Sequence, residues 1–274
     1  MWNKLFAASG ALLICASAAT AQQETSNIVD RTTLRVCSDP ASMPFSNTAG
    51  EGFENKIAEL VAKEMNIPVS YTWFPMATGF VRQTLRAGRC DIIIGYAQGD
   101  ELVQNTNHYY RSAWTIVFRK GAGLDDLVNL DDQRLKGKKI GVIAGTPPAD
   151  VLAANGLLGN ARPYALVVDR RYESPSEQMV KDIERGEIDA GILWGPIGGY
   201  YAKRSGTPMS VQPLVKETKG PREAYRITFG VRPHDQEWKR ELNKLIPRIQ
   251  PRINAILLEY GVPLLDEQDM LITQ

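Results

Sequence analysis

The sequence predicts an α/β protein large enough for two modest domains. Short apolar runs alternate with segments whose apolar residues recur at helical spacing, as expected of strands joined through helices. The run Asp91-Ile92-Ile93-Ile94-Gly95 is apolar without alternation, the mark of a strand in a sheet covered on both faces. The 274 residues, 43% hydrophobic and 23% charged, have the composition of a soluble globular chain.

Leu34 to Glu54 organises the first half. Leu34 and Val36 share one side of a short strand, which Pro40 ends because proline cannot donate to a sheet ladder. A loop carrying Pro44 and Phe45, punctuated by Gly50 and Gly52, leads into a helix with Ile57, Leu60, Val61 and Met65 on one face. In open α/β sheets ligands and partners are met at the carboxyl ends of strands, so this loop is the first candidate working surface. Phe45 and Phe53 serve equally well as plugs between helix and sheet. Further strands are expected at Val69 to Phe74, at Ile92 to Ile94 and at Trp114 to Arg119, with a short helix from Gly79 to Leu85.

Gly121 to Lys138 reads as a polar connector with a weak helical start, and Lys139 to Ile143 opens a second α/β series. Thr146 and Pro147 have the pattern of an N-cap and first helical residue. Val167-Val168 is a candidate strand. Ser174-Pro175-Ser176-Glu177 has capping-box spacing, ahead of a buried stripe of Met179, Val180 and Ile183. Ile188 to Trp194 and Tyr225 to Val231 read as strands. From Glu237 to Tyr260 two helical pieces are expected, because Pro247 and Pro251 interrupt the pattern.

Lys4, the apolar run Leu5 to Ala16 and the small residues Ala19-Thr20-Ala21 read as a signal peptide, residues 1–21, cleaved after Ala21. Ile14 before Cys15 departs from a lipoprotein signal. The expected mature chain is therefore exported and soluble. Losing Lys4 leaves 31 Lys+Arg against 31 Asp+Glu, since the whole chain has 32 and 31. A neutral chain argues against nucleic acid or an anionic membrane as partner, and no later segment reads as a membrane span. Two cysteines remain, Cys37 at the end of the first strand and Cys90 just before the Ile92 strand. An even pair in an exported protein suggests a disulfide, worth roughly 3–4 kcal/mol in the chain-entropy model; two buried thiols are the alternative. No metal-ligand cluster, nucleophile motif or phosphate loop is present, so neither catalysis nor a cofactor is expected.

The ordered set Cys37-Ser38-Asp39-Pro40, Gly52-Phe53-Glu54, Gly88-Arg89-Cys90-Asp91-Ile92, Tyr109-Tyr110-Arg111-Ser112, Gly145-Thr146-Pro147 and Gly186-Glu187-Ile188-Asp189-Ala190 through Trp194-Gly195-Pro196 carries a resemblance. It resembles extracellular solute-binding proteins of family 3, and within them the MxaJ/XoxJ type of periplasmic accessory protein of quinoprotein methanol dehydrogenases, XoxJ more than MxaJ. The resemblance implies a bilobal periplasmic binding protein fold with two crossover segments, near Arg119-Lys120 and Arg226-Ile227. The implied division is residues 22–118 plus 229–274 against residues 119–228. The cleft between the lobes would be lined by Phe45, Glu54, Trp73, Tyr96, Tyr109, Thr146, Ser174 and Trp194.

Departures from the amino-acid-binding pattern refine this expectation. No arginine stands in Gly95 to Val103 to grip a ligand carboxylate, and Trp194 and Gly195 occupy the neighbourhood of the acid that would pair an ammonium. Without either charge anchor the reason for a zwitterion to bind is gone, and an aromatic groove remains. Capping alone accounts for Thr146 and Ser174, though the helix N-terminus at Thr146 also suits an anion. Glu54 points to the cleft or serves its helix dipole. Trp73, Tyr109 and Trp194 are the expected anchors for a protein element. The resemblance implies a non-enzymatic accessory protein assisting a PQQ-dependent, lanthanide-type methanol or alcohol dehydrogenase, with the dehydrogenase's cytochrome c as a further partner. It fixes no small-molecule ligand; a transport receptor for a small solute is the alternative.

Overall fold

The structure, a computed structural model, describes residues 29–220 and 224–273, so the expected signal peptide lies outside the described residues. The strands are β1 (Leu34–Ser38), β2 (Ala41–Ser42), β3 (Ser46–Asn47), β4 (Val69–Trp73), β5 (Ile92–Ala97), β6 (Gln104–Arg119), β7 (Ile140–Ile143), β8 (Arg162–Tyr164), β9 (Ala190–Trp194), β10 (Met209–Pro213) and β11 (Ala224–Val231). The helices are α1 (Phe53–Met65), α2 (Phe80–Gln83), α3 (Pro147–Ala154), α4 (Pro175–Arg185), α5 (Gly195–Arg204) and α6 (Gln236–Glu259).

Pairing joins the main strands in the order β4-β1-β5-β11-β6-β9-β7-β8, with β10 also on β6. β1 lies parallel to both β4 and β5, and β7 parallel to both β8 and β9, as βαβ units require. Between these parallel halves β6 and β11 run antiparallel. One carries the chain out of the first half and the other brings it back, so opposite directions follow from the path. β6 is long enough to serve both halves: residues 104–113 pair with β11, and residues 114–118 with β9. The result is the bilobal binding-protein fold.

Each lobe closes its own core. In the first, α1 and α6 bury Phe53, Ile57, Val61, Trp238, Leu242 and Ile249 against Ile92, Ile94 and Phe229. Complete burial of one such side chain contributes roughly 1.5–3 kcal/mol. On the sheet's other face Phe80, Val81 and Leu85 pack around Cys37 and Cys90. Those cysteines form a disulfide with Cα atoms 5.4 Å apart. Parallel pairing of β1 with β5 sets Cys37 opposite Ile93, and Cys90, just ahead of β5, packs in the same cluster as both. In the second lobe, α3 and the connector leucines Leu124, Leu127 and Leu130 cover one face, while α4 covers the other through Met179, Val180 and Ile183.

Two expectations about elements are corrected. The strand sits at Arg162–Tyr164, not at Val167-Val168; residues 165–173 form a loop in which Val167 is 89% exposed. The final helix is one piece, with Pro247 and Pro251 inside it. Both prolines lie on its exposed side, where the carbonyls they leave unbonded face water. The opposite side carries an unbroken buried stripe from Trp238 to Leu257, and that packing outweighs the proline penalty.

A second inter-lobe contact lies behind the hinge strands. Gly199 of α5 abuts the turn after α6 so closely that a Cβ there would collide with the Gly261 carbonyl. Lys203 Nζ caps α6 by donating to the carbonyls of Glu259 at 2.7 Å and Leu258 at 3.3 Å. The rings of Tyr200 and Tyr260 stack 6.0 Å apart across the junction.

Candidate functional site

A cleft of about 970 Å³ opens between the lobes. The β1–β2 loop, Phe45, Glu54, Gly95 and Tyr110 line it from the first lobe, and Thr146, Trp194, Tyr201 and the segment 165–177 from the second. Trp114 of β6 and Tyr225 of β11 complete its hinge end. Trp114 and Trp194 are register partners across β6 and β9, with ring centroids 6.0 Å apart, and Trp194 meets Tyr225 at 5.7 Å. At the other end Phe45 packs edge-on to Phe53 at 5.2 Å. Edge-to-face pairs of this kind hold large apolar area in a fixed shape.

Of the expected lining residues, Phe45, Glu54, Thr146, Ser174 and Trp194 lie on the cleft, and Trp73, Tyr96 and Tyr109 do not. The reasons are local. Trp73 ends the edge strand β4 and stacks on Tyr71 at 4.6 Å. Tyr96 turns to the face of β5 opposite Gly95 and Ala97, packing on the cluster around the disulfide. Tyr109 is buried in the first core with its hydroxyl donating to the Ile94 carbonyl at 2.9 Å, and its neighbour Tyr110 takes the cleft face. Thr146 spends its hydroxyl on the Ile143 carbonyl at 2.6 Å. Ser174 accepts from the Glu177 amide at 3.3 Å and meets the Tyr201 hydroxyl at 3.0 Å. Trp114 and Tyr225, absent from the expected set, sit on strands whose cleft-facing side only the observed register reveals.

Most charged groups on the cleft are already matched. Arg170 of the second lobe reaches across to Asp39 Oδ2 at 3.4 Å and Ser42 Oγ at 3.1 Å. Asp39 Oδ2 also accepts from the Met76 amide at 2.7 Å, and its Oδ1 from the Ala41 amide at 2.8 Å. Arg171 forks onto Asp169 at 2.6 and 2.9 Å, and Glu177 pairs with Lys181 at 2.6 Å. Glu54 is different. It is 7% exposed, its side chain makes no hydrogen bond among the described residues, and its Oε1 lies against Gly95, where any side chain would collide with it. Burial, reinforced by the negative charge of Asp39, pushes its carboxyl up to about 8. Tyr110 beside it is held well above its ordinary value of 10.0, by burial first and then by Glu54.

Among the described residues no group of three or more His, Cys, Asp or Glu is placed to hold a metal ion, and no helix is long and apolar enough to cross a membrane. Residues 34–261 match the bacterial extracellular solute-binding proteins, family 3. The chain is 31% identical over 253 residues to a protein MoxJ of Methylorubrum extorquens, covering 86% of this chain and 83% of that one. A crystal structure of the periplasmic binding protein XoxJ from Methylobacterium extorquens AM1 superimposes with a TM-score of 0.73 at 45% identity, over 85% of this chain and 100% of that one. A crystal structure of MxaJ from Methlophaga aminisulfidivorans MPT gives 0.74 at 26% identity, over the same shares of 85% and 100%. The chain belongs to the bacterial extracellular solute-binding proteins of family 3 and, within them, to the MxaJ/XoxJ type.

Proposed function

We propose that the protein is a non-catalytic periplasmic accessory factor that binds a PQQ-dependent methanol or alcohol dehydrogenase of the lanthanide type and assists its maturation or activation. The observation that carries this reading is the state of the cleft. Both its arginines are committed to carboxylates, Arg170 to Asp39 and Arg171 to Asp169, and its walls at the hinge end are the rings of Trp114, Trp194 and Tyr225. A free amino acid needs fixed opposite charges to hold it, whereas a protein element is held by aromatic anchors. Greater identity to XoxJ than to MxaJ, 45% against 26%, supports the lanthanide-type partner. The dehydrogenase's cytochrome c is a further candidate partner.

In this reading the lobes divide near the proposed boundaries, 22–118 plus 229–274 against 119–228. The change of partner along β6 at Ala113–Trp114 supports a first crossing made within that strand. Mass spectrometry of what copurifies with the native protein tests the function. A quinoprotein dehydrogenase is expected among the partners, and a loss of its activity on deletion of this chain. The second reading, a receptor delivering a small solute to a permease, draws on the fold and on a cleft of about 970 Å³. It predicts a thermal shift with a small acid, amino acid or alcohol, since a ligand at 100 times its Kd stabilises by about 2.7 kcal/mol. A flat screen is expected instead.

A further inference from the structure

Glu54 is a buried acid that nothing in the fold satisfies. Its oxygens are not fully sealed but open on the cleft, and a carboxyl drawn this far out of water without a partner in the fold is costly. Its position does not require that cost. The first turn of α1 would gain as much from an acid pointing to solvent. Gly95 keeps the space open for it, since any other residue there would displace the carboxyl from its place on the cleft. The groups that face it are Asp39 from the β1–β2 loop, with Arg170 of the opposite lobe beyond, and Tyr71, Tyr109 and Tyr110 from β4 and β6. None of them donates a hydrogen bond to it. Tyr109 is committed to the Ile94 carbonyl, and Asp39 to Arg170 and two amides. Tyr110, also on the cleft and 5% exposed, makes no hydrogen bond through its hydroxyl among the described residues.

Two neutral donors are thus left on the cleft floor, the Glu54 acid and the Tyr110 hydroxyl. With Asp39 matched by Arg170, the floor as a whole carries no net charge. We propose that Glu54, in its protonated form and together with Tyr110, donates hydrogen bonds to an uncharged carbonyl oxygen, and that this carbonyl belongs to the backbone of a polypeptide segment entering the cleft. A cation would instead need Glu54 ionised beside Asp39, which burial opposes. An anion would find no free cation on the cleft among the described residues, since Arg170 is already committed to Asp39 and Arg171 to Asp169. A peptide carbonyl needs only donors, and a segment that enters carries apolar side chains for the rings of Trp114 and Trp194 and for the exposed rim residues Leu166 and Tyr172. The inference rests on the reading of the cleft as the binding surface, but on no particular partner.

The test needs no dehydrogenase. Protein labelled with 13C at glutamate carboxyls is titrated, with Glu54→Gln identifying the signal. Glu54 is expected to be protonated at pH 7 and to ionise near 8. Acetyl-trialanine-methylamide, an uncharged peptide, should shift that signal and raise its midpoint, and propylammonium should not. Peptide affinity should fall about tenfold per pH unit above the midpoint, because binding takes up a proton there. Glu54→Gln keeps a neutral donor and should bind with a flat pH profile. Glu54→Ala should bind roughly tenfold more weakly, the usual worth of one hydrogen bond. A carboxyl already ionised at pH 7 overturns the inference. So does a response to propylammonium but not to the peptide, or a Glu54→Gln variant as weak as Glu54→Ala. N-methylacetamide binding as tightly as the peptide would assign the site to a small neutral solute and overturn the peptide occupant. Failure on any of these leaves association with a dehydrogenase separately measurable.

Discussion

Two buried carboxyl groups of the first lobe, Asp91 and Glu54, are treated in opposite ways. Asp91, 1% exposed at the head of β5, is held by Arg35 at 2.7 Å on both oxygens, by Arg232 at 2.6 Å, and by the Asp30 amide at 3.1 Å. Its own carbonyl accepts the Trp238 indole N–H at 3.2 Å. It ties β1, β5 and the start of α6 together, and every lone pair has work within the fold. Glu54, beside Gly95 toward the other end of β5, has no such partner. Saturation marks a structural charge; an unmet group on a cleft marks one reserved for something that arrives.

The comparison can be broken from either side. Asp91→Ala takes from Arg35 its carboxylate and from Arg232, 4% exposed, one of its two, leaving only Asp235 at 2.7 Å, and should cost about 3–5 kcal/mol in urea unfolding. Serine at both Cys37 and Cys90 should cost roughly 3–4 kcal/mol in the same lobe with the fold retained, read as a lower Tm. Glu54→Gln should move the other way. Below pH 4.5 the carboxyl is protonated folded or unfolded; above it the unfolded chain ionises while the fold keeps the proton up to about 8. Stability of the native protein therefore falls as pH rises through that window, and the variant should gain about 3 kcal/mol at pH 7 and nothing at pH 4. Urea melts of both proteins across that range read the difference directly. Arg170→Ala, removing a half-exposed cross-cleft partner of Asp39, should change stability by less than about 1 kcal/mol. A larger loss there would mean that the cleft floor is structural after all.

Much of this architecture is readable in the sequence. Strand runs, helix stripes and their order are local patterns, and the disulfide follows from two cysteines at the ends of neighbouring strands. Facing is harder, because a strand changes face at every residue. Alternation splits Tyr109 from Tyr110 and Gly95 from Tyr96 without saying which of each pair faces the cleft, and the cleft takes Tyr110 and Gly95. Nor does a linear pattern show that Arg170, in a loop where a strand was expected, reaches Asp39 some 131 positions away. The uninterrupted α6 illustrates the same limit, since two prolines end a helix in isolation and packing from Trp238 to Leu257 keeps this one whole.

The central claim is that the aromatic cleft binds a quinoprotein dehydrogenase. Its most direct test is the affinity of the purified protein for that enzyme, measured for the native chain and for Trp194→Ala. Trp194 sits at the centre of the Trp114–Trp194–Tyr225 cluster, half-buried and facing the cleft. The account predicts that the variant stays folded by circular dichroism and loses about 2 kcal/mol of binding, close to thirtyfold. Unchanged affinity in a folded Trp194→Ala protein, or no measurable association by the native chain, would contradict it.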